Sequence, residues 1–145
     1  MDVVRVQSED FDVGAESERL HRAADEVGGV VIFIGTVRGG AVRAMTLEHY
    51  PGMTEKSLET LVEEARRRWS LAAVTVIHRF GRLLPGERIV FVGVASRHRA
   101  EAFAASEFLI DRLKTEAPFW KKEETEEGTR WVEAKEGDED RARRW

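Results

Sequence analysis

Apolar and polar residues alternate along this chain with two periods, and together they divide it into short strands and amphipathic helices. Val3 to Val6 reads as a first strand. Asp12 is placed to cap a helix whose inner face is Leu20, Ala23, Ala24 and Val27, stopped by Gly28-Gly29. Val30 to Val37 is nearly unbroken apolar, as expected of a strand buried on both faces. From Ala44 to Tyr50 the pattern alternates, with Met45, Leu47 and His49 on one face and Thr46, Glu48 and Tyr50 on the other. Pro51-Gly52 turns the chain and Thr54 is positioned to cap the next helix. That helix has the core stripe Leu58, Leu61, Val62, Ala65 and Trp69, with Glu63, Glu64, Arg66 and Arg67 outward. Val74 to Arg79 and Ile89 to Ala95 are strands. Pro85-Gly86 between them fits the central positions of a type II turn, so the two should pair antiparallel.

The last third of the chain carries a long helix, broken by Pro118, with Phe108, Leu109 and Leu113 as its apolar stripe. Phe119 to Glu123 then has strand composition, and with Arg130 to Glu133 it flanks Glu126-Glu127-Gly128 as a hairpin. The order β-α-β-β-α-β-β-α-β-β predicts an α+β fold, a mostly antiparallel mixed sheet with about three helices packed on it. Residues 1–135 read as a single domain. Residues 136–145, EGDEDRARRW, read as a charged tail, mobile except where Trp145 docks.

Composition narrows the function. A chain of 145 residues with 42% apolar and 34% charged residues makes one domain with a proper core. A net charge of −4 argues against a general nucleic-acid binder. No run of eighteen apolar residues and no basic-then-apolar leader is present, so a soluble, cytoplasmic protein is expected. With no cysteine, a disulfide, a thiolate nucleophile and a zinc–thiolate site are all excluded.

The candidate chemistry lies in residues 107–123, EFLIDRLKTEAPFWKKE, where Lys114 and Lys121 flank the proline break. Lys114 falls in the last turn of the helix and Lys121 on the strand leaving it, sharing a face with Phe119 and Glu123. Trp120 and Lys122 point the other way. Two converging ammonium groups suit anion binding or amine chemistry, each lowering the other's pKa. The plainer alternative is a lysine favouring the helix macrodipole and another guarding an edge strand. Arg38, before Gly39-Gly40 at the end of a buried strand, is either presented to a ligand by a flexible loop or simply solvated. Ser96-Arg97-His98-Arg99 hands a buried strand over to the long helix. Its cations oppose the macrodipole, which favours an anion site over a surface cluster beside Glu101. His49 and His78 lack partner ligands nearby in sequence and read as structural polar residues; no metal site is expected.

Arg99 and Lys114 are fifteen residues apart on one helix, roughly 22 Å of rise. One small anion cannot touch both ends of it. Either these are two sites, or a second copy of the chain completes one site. A two-fold dimer that sets one chain's 98–99 corner against the other's lysine pair is the expected arrangement.

The segments FIGTVR, LEHYPGMTEK, HRFGRLLPGE, VASRHRAEAF, LKTEAPFWKKE and GTRWVEAKEGD closely resemble the large, catalytic subunit of molybdopterin synthase, the MoaE family. The resemblance runs in order from about Gly29 to the C-terminus. It implies the α/β hammerhead fold of that family and an enzyme of molybdenum-cofactor biosynthesis. Such a sulfurtransferase converts cyclic pyranopterin monophosphate (precursor Z) to molybdopterin by inserting two sulfurs. The sulfur donor is the thiocarboxylated C-terminus of a small ubiquitin-like subunit, MoaD, and a dimer of large subunits forms the core of a heterotetramer. No cofactor is implied. By the same similarity Lys114 and Lys121 correspond to essential lysines. Arg38, His98 and Arg99 correspond to the pterin-phosphate pocket, the latter two reaching in from the neighbouring subunit, and Lys122 and Glu123 fall beside the motif. Ile110 stands where some relatives have methionine. Nothing functional is carried onto the first 28 residues.

The missing cysteine meets the resemblance here. A chain without a thiol needs its sulfur delivered already activated, and a thiocarboxylate on a partner's tail does that. Two rivals are weighed against this reading. One is a non-catalytic adaptor that binds a ubiquitin-like tail and a pterin phosphate; the intact lysine pair argues against it. The other is a phosphoester hydrolase with His98 as base, which lacks any accompanying carboxylate cluster.

Overall fold

The structure, a computed structural model, describes residues 2–132 and 136–145. Its elements are β1 (Asp2–Gln7), α1 (Val13–His21), β2 (Gly29–Thr36), β3 (Ala44–His49), α2 (Met53–Arg68), β4 (Ala73–Arg79), β5 (Gly81–Leu83), β6 (Arg88–Ser96), α3 (Arg99–Glu116), β7 (Phe119–Thr125), β8 (Gly128–Val132) and α4 (Glu136–Arg143). The α+β class holds, with the strands divided between two four-stranded sheets ordered β1-β4-β6-β2 and β5-β3-β7-β8. Only β1 and β4 run parallel; the other neighbours are antiparallel.

The first sheet is a sandwich filling. Val74 and Val76 of β4 and Val90, Val92 and Val94 of β6 point to one face, where α2 and α3 bring Leu58, Leu61, Val62, Phe108, Leu109 and Leu113. Ala73 and Ile77, with Phe91 and Ala95, point to the other, covered by Leu20 of α1 and by Phe11. Sides alternate along each strand, so the parity of a residue decides which helix it meets. The second sheet has its own small core of Met45, Leu47, Leu83 and Val37.

Several local expectations hold. Asp12 caps α1, its carboxylate accepting from the Ala15 N–H at 3.0 Å. The Glu87 N–H donates to Leu84 O across Pro85-Gly86, and Gly86 has φ 89°, the left-handed position a type II turn demands. β7 and β8 form the expected hairpin, although Glu133, at the end of the strand read from the sequence, lies outside the described residues.

Others are corrected. The 30–37 strand was expected to be buried on both faces, but β2 is the edge of its sheet, half-buried from Gly29 to Gly35 and exposed at Thr36. Helices cover its faces, and only β6 pairs with its backbone. Thr54 does not cap α2. Gly52 stands at that position, its N–H bonded to the Glu55 carboxylate at 3.0 Å, while Thr54 turns inward. Two elements had no sequence signal, the three-residue β5 and the charged helix α4. Trp145, just beyond α4, sits edge-on to Trp69 and Phe108, and its indole N–H donates to Asp111 at 2.7 Å. No helix among the described residues is long and apolar enough to cross a membrane.

Candidate functional site

Strand register assigns every candidate residue to one of two ends. β6 runs from Arg88 to Ser96, and α3 returns antiparallel to it across the sheet. Gly29 pairs with Ser96 and Ala73 with Ala95, so those residues lie at the end where α3 begins. Thr36 pairs with Arg88 and His78 with Val90, so they lie at the end where α3 stops. Arg38, just past β2, therefore shares an end with Lys114 and Lys121. His98 and Arg99 occupy the opposite end, about 25 Å away by the lengths of β2 and α3.

The lysine end is closely built. Lys114, in the last turn of α3, is exposed. Ala117 has extended dihedrals, and Pro118 turns the chain into β7, where Lys121 pairs with Leu47 of β3. The corner is tied down by Thr54, which is wholly buried: its hydroxyl donates to Pro118 O at 3.2 Å and accepts from the Tyr50 N–H at 3.1 Å. Beneath β7 lies a ring cluster. Phe119 stacks on His78 with centroids 3.7 Å apart, and His49, its register partner on β3, lies 4.3 Å from Phe80. Burial pushes the His78 imidazole down to a pKa of about 4; its hydrogen bond with Arg79 O opposes this, and the charges of Lys114 and His49 add to it. The ring is therefore neutral at physiological pH.

Lys121 and Glu123 share the face of β7 that meets Met45 and Leu47, and Glu123 accepts from Arg130 at 3.5 Å. Lys122 is on the opposite face. Its ammonium lies 3.2 Å from a Glu48 oxygen and 4.7 Å from the Trp131 ring centroid. The structure thus separates the two adjacent lysines, and brings Lys114 and Lys121 to one corner. Arg38 is exposed on its loop, whose base is held by Val37 bonding to Glu87 and Gly86 through the backbone.

At the far end, His98 is the residue capping α3, with no side-chain hydrogen bond into the helix, and Arg97, His98 and Arg99 are all exposed. Gly28 fits there because a Cβ would stand 2.1 Å from Arg97 O, so the close approach of the two chain segments needs glycine. Ser96 is buried and structural, its hydroxyl bonded to Ser70 O at 2.9 Å. This end presents cations and free helix N–H groups to solvent, the chemistry of an anion contact without walls around it. Among the described residues no cluster of His, Asp and Glu has the arrangement of a metal site.

Sequence reasoning read Thr54 as a helix cap and His78 as a structural polar residue, and gave neither a place at this corner. The only signal was a histidine at the end of an otherwise apolar, buried strand, and nothing in residue order points to its stacking partner 41 positions later.

Comparison with known proteins decides the family. The family model described as "MoaE protein" matches residues 6–116. The chain belongs to the MoaE family. The match spans Arg38, His98, Arg99 and Lys114 and ends before Lys121. Whole-chain similarity goes further. The molybdopterin synthase catalytic subunit of Escherichia coli (strain K12) is 59% identical over 139 residues, covering 93% of this chain and 92% of that protein. The catalytic subunit of Ralstonia nicotianae is 54% identical over 149 residues, covering all of this chain and 85% of its own length. Among solved structures, the molybdopterin biosynthesis MoaE protein of Burkholderia ambifaria MC40-6 superposes with a TM-score of 0.87 at 51% identity, covering 100% of this chain and 98% of its own. A structure of molybdopterin synthase from Staphylococcus aureus matches with a TM-score of 0.83 at 30% identity, covering 90% and 96%. MoaE membership and the two-sheet fold therefore rest on sequence and structure together.

Proposed function

We propose that this chain is the catalytic, sulfur-transferring subunit of a cytoplasmic molybdopterin synthase. It converts cyclic pyranopterin monophosphate to molybdopterin, taking both sulfurs from the thiocarboxylated C-terminus of a small ubiquitin-like subunit. The observation that carries this reading is the tied corner that sets Lys114 and Lys121 on either side of Pro118, in a chain without any thiol. A protein that moves sulfur without a cysteine needs a pre-activated donor and groups that manage negative charge, and the corner supplies the second.

In this reading Lys114 is the chemical residue and Lys121 positions and polarises. Arg38, at the same end, binds the pterin phosphate. His98 and Arg99 reach the site from a second copy, since about 25 Å separates them from the lysines within one chain. Two copies form the core and a small subunit joins each. The open edge of β2 and the exposed 97–99 corner, both at surfaces a second copy can cover, support that assembly. Lys122 and Glu123 border the site; the Glu48 pairing of Lys122 gives it a supporting role on the outer face.

The test is reconstitution. Purified chain, thiocarboxylated small subunit and the cyclic pterin are mixed, and dithiolene product is measured. Product from the wild type and none from Lys114→Ala is expected. Binding of both partners without product from the wild type would favour an adaptor and end the catalytic reading.

A further inference from the structure

We propose that His78 is a positioning residue for Lys114, its buried neutral imidazole offering a lone pair that orients the lysine ammonium. The inference rests on the preceding reading of Lys114 as the chemical residue.

His78 is out of keeping with its strand. The rest of β4 before it is Ala73-Val74-Thr75-Val76-Ile77, and a phenylalanine or leucine would fill the place without the cost of burying an imidazole. The parity of β4 puts His78 on the same face as Val74 and Val76, the face that α3 covers. Its register partner, Val90, marks the end of the sheet where α3 reaches Leu113 and Lys114. Side and height place it on the helix-covered face, at the end of the sheet where α3 stops. The charge of Lys114 is among the influences on its titration, so the two groups lie within electrostatic reach of each other.

Its orientation is fixed twice. Nδ1 lies 2.8 Å from Arg79 O, so this nitrogen carries the hydrogen and donates it, which leaves Nε2 an acceptor. The ring plane is held by the face-on stack with Phe119, tilted only 20°. Phe119 begins the strand that presents Lys121, so the imidazole also touches the foundation of that lysine.

A neutral acceptor suits this place better than a carboxylate. A carboxylate would pair with Lys114, raise its pKa and cancel the charge an anionic substrate needs. A neutral nitrogen lone pair gives direction and adds no negative charge of its own. The charged groups facing His78 are Lys114 from α3 and His49 from β3, while β7 contributes the apolar ring of Phe119.

The experiment compares the reconstituted synthase containing wild-type chain, His78→Phe or His78→Gln. Phenylalanine keeps a ring for the Phe119 stack and removes the acceptor; glutamine keeps an acceptor and loses the stack. For His78→Phe the expected result is a kcat lowered roughly 10- to 100-fold with the KM for the pterin within about twofold. His78→Gln is expected to recover part of kcat. A purely structural role would not produce that split or that order. Should a variant fold poorly, the Lys114 side-chain signals in protein carrying ¹³C-labelled lysine give a second readout, with the full chain and no turnover. They are expected to be dispersed in the wild type and averaged toward free lysine in His78→Phe. Wild-type kcat in His78→Phe, a loss confined to KM, or unchanged Lys114 signals would overturn the inference while leaving the function standing. Wild type that binds both partners and yields no product would overturn the function, and with it the reaction for which Lys114 is positioned.

Discussion

At the C-terminal end of α3, Lys114 is followed by a corner closed from several sides: Thr54 bonds the Pro118 carbonyl, His78 stacks under Phe119, and β3 pairs with β7 from Phe119 to Glu124. At the N-terminal end of the same helix, His98 and Arg99 stand exposed beside a glycine-tight crossing of backbone. Both ends carry positive charge, but only one has walls. Rigid elements deliver catalytic groups with small positional error, so the walled end is fit to direct chemistry. The open end has charge and helix N–H groups exposed to solvent; it can complete a site when something else closes over it. Under the proposed function the two ends take different jobs, transformation and capture, and the second depends on assembly.

The sharpest way to break that division is to remove a charge from each end. Lys114→Ala is expected to lower kcat by about 10³-fold with intact binding of the small subunit, measured by product formation and by co-elution. Arg99→Ala is expected to raise the KM for the pterin roughly tenfold and to leave kcat within a few-fold, the loss of one charge-assisted contact. A large kcat effect from Arg99, or a pure KM effect from Lys114, would exchange the two jobs. Mixing the Lys114→Ala and Arg99→Ala chains in equal amounts, assayed with the pterin well below its KM so that neither variant alone is appreciably active, adds a further constraint. If each site draws on two copies, random exchange gives one intact site in half of the dimers, so activity should return to about a quarter of wild type. No recovery after verified exchange would mean that His98 and Arg99 serve a site of their own.

The walled end should also carry a pH signature. His78 has a pKa of about 4 in the fold against 6.5 for the free side chain, so folding favours its neutral form. That preference costs nothing above pH 6.5 and becomes a loss of stability as pH falls from 6.5 toward 4, amounting to about 3 kcal/mol. Chemical denaturation at pH 7 and pH 4.5 should show this slope in the wild type and a shallower one in His78→Phe. Asp10 and Glu124, held below the usual carboxylate range by Arg88 and Arg82, add their own losses at lower pH and remain in both proteins. Equal slopes in the two proteins would mean that the imidazole is not desolvated at the corner.

How much of this was legible in the sequence follows from how local each feature is. The stripe of α2, the alternation of β3, the Pro85-Gly86 turn and the break at Pro118 depend on residues within a few positions of one another, and all were readable. The placement of Lys114 and Lys121 on opposite sides of that break came from the same local logic. β5 is too short to have a period, and α4 has no apolar stripe because Trp145, Arg144 and their shared acceptor Asp111 hold this region from outside it. The exposed edge of β2 was hidden because an apolar run reports burial without saying what covers it. Thr54 was misjudged for a related reason. A threonine near a helix start fits a cap by residue type, and only the tertiary position of Pro118, 64 residues on, shows where its hydroxyl goes.

Thr54 supplies the smallest and most specific test of the wall itself. Thr54→Val keeps the shape and removes the hydroxyl, leaving Pro118 O and the Tyr50 N–H without that partner in a part-buried place. The expected cost is about 1–2 kcal/mol in denaturant unfolding, with the fold retained. A merely stabilising bond would stop there. If the bond also fixes the corner, kcat should fall a few-fold while the KM for the pterin holds, because the capture end lies about 25 Å away on the same chain and is untouched. The same fractional fall in Thr54→Val and in a double variant with His78→Phe, beyond the effect of His78→Phe alone, would show that the two supports act separately. A double variant no slower than His78→Phe would show that they hold one and the same geometry. Unaltered kcat in Thr54→Val, alongside a measured loss of stability, would reduce the tied corner to scaffolding and move the positional control of Lys114 onto His78 alone.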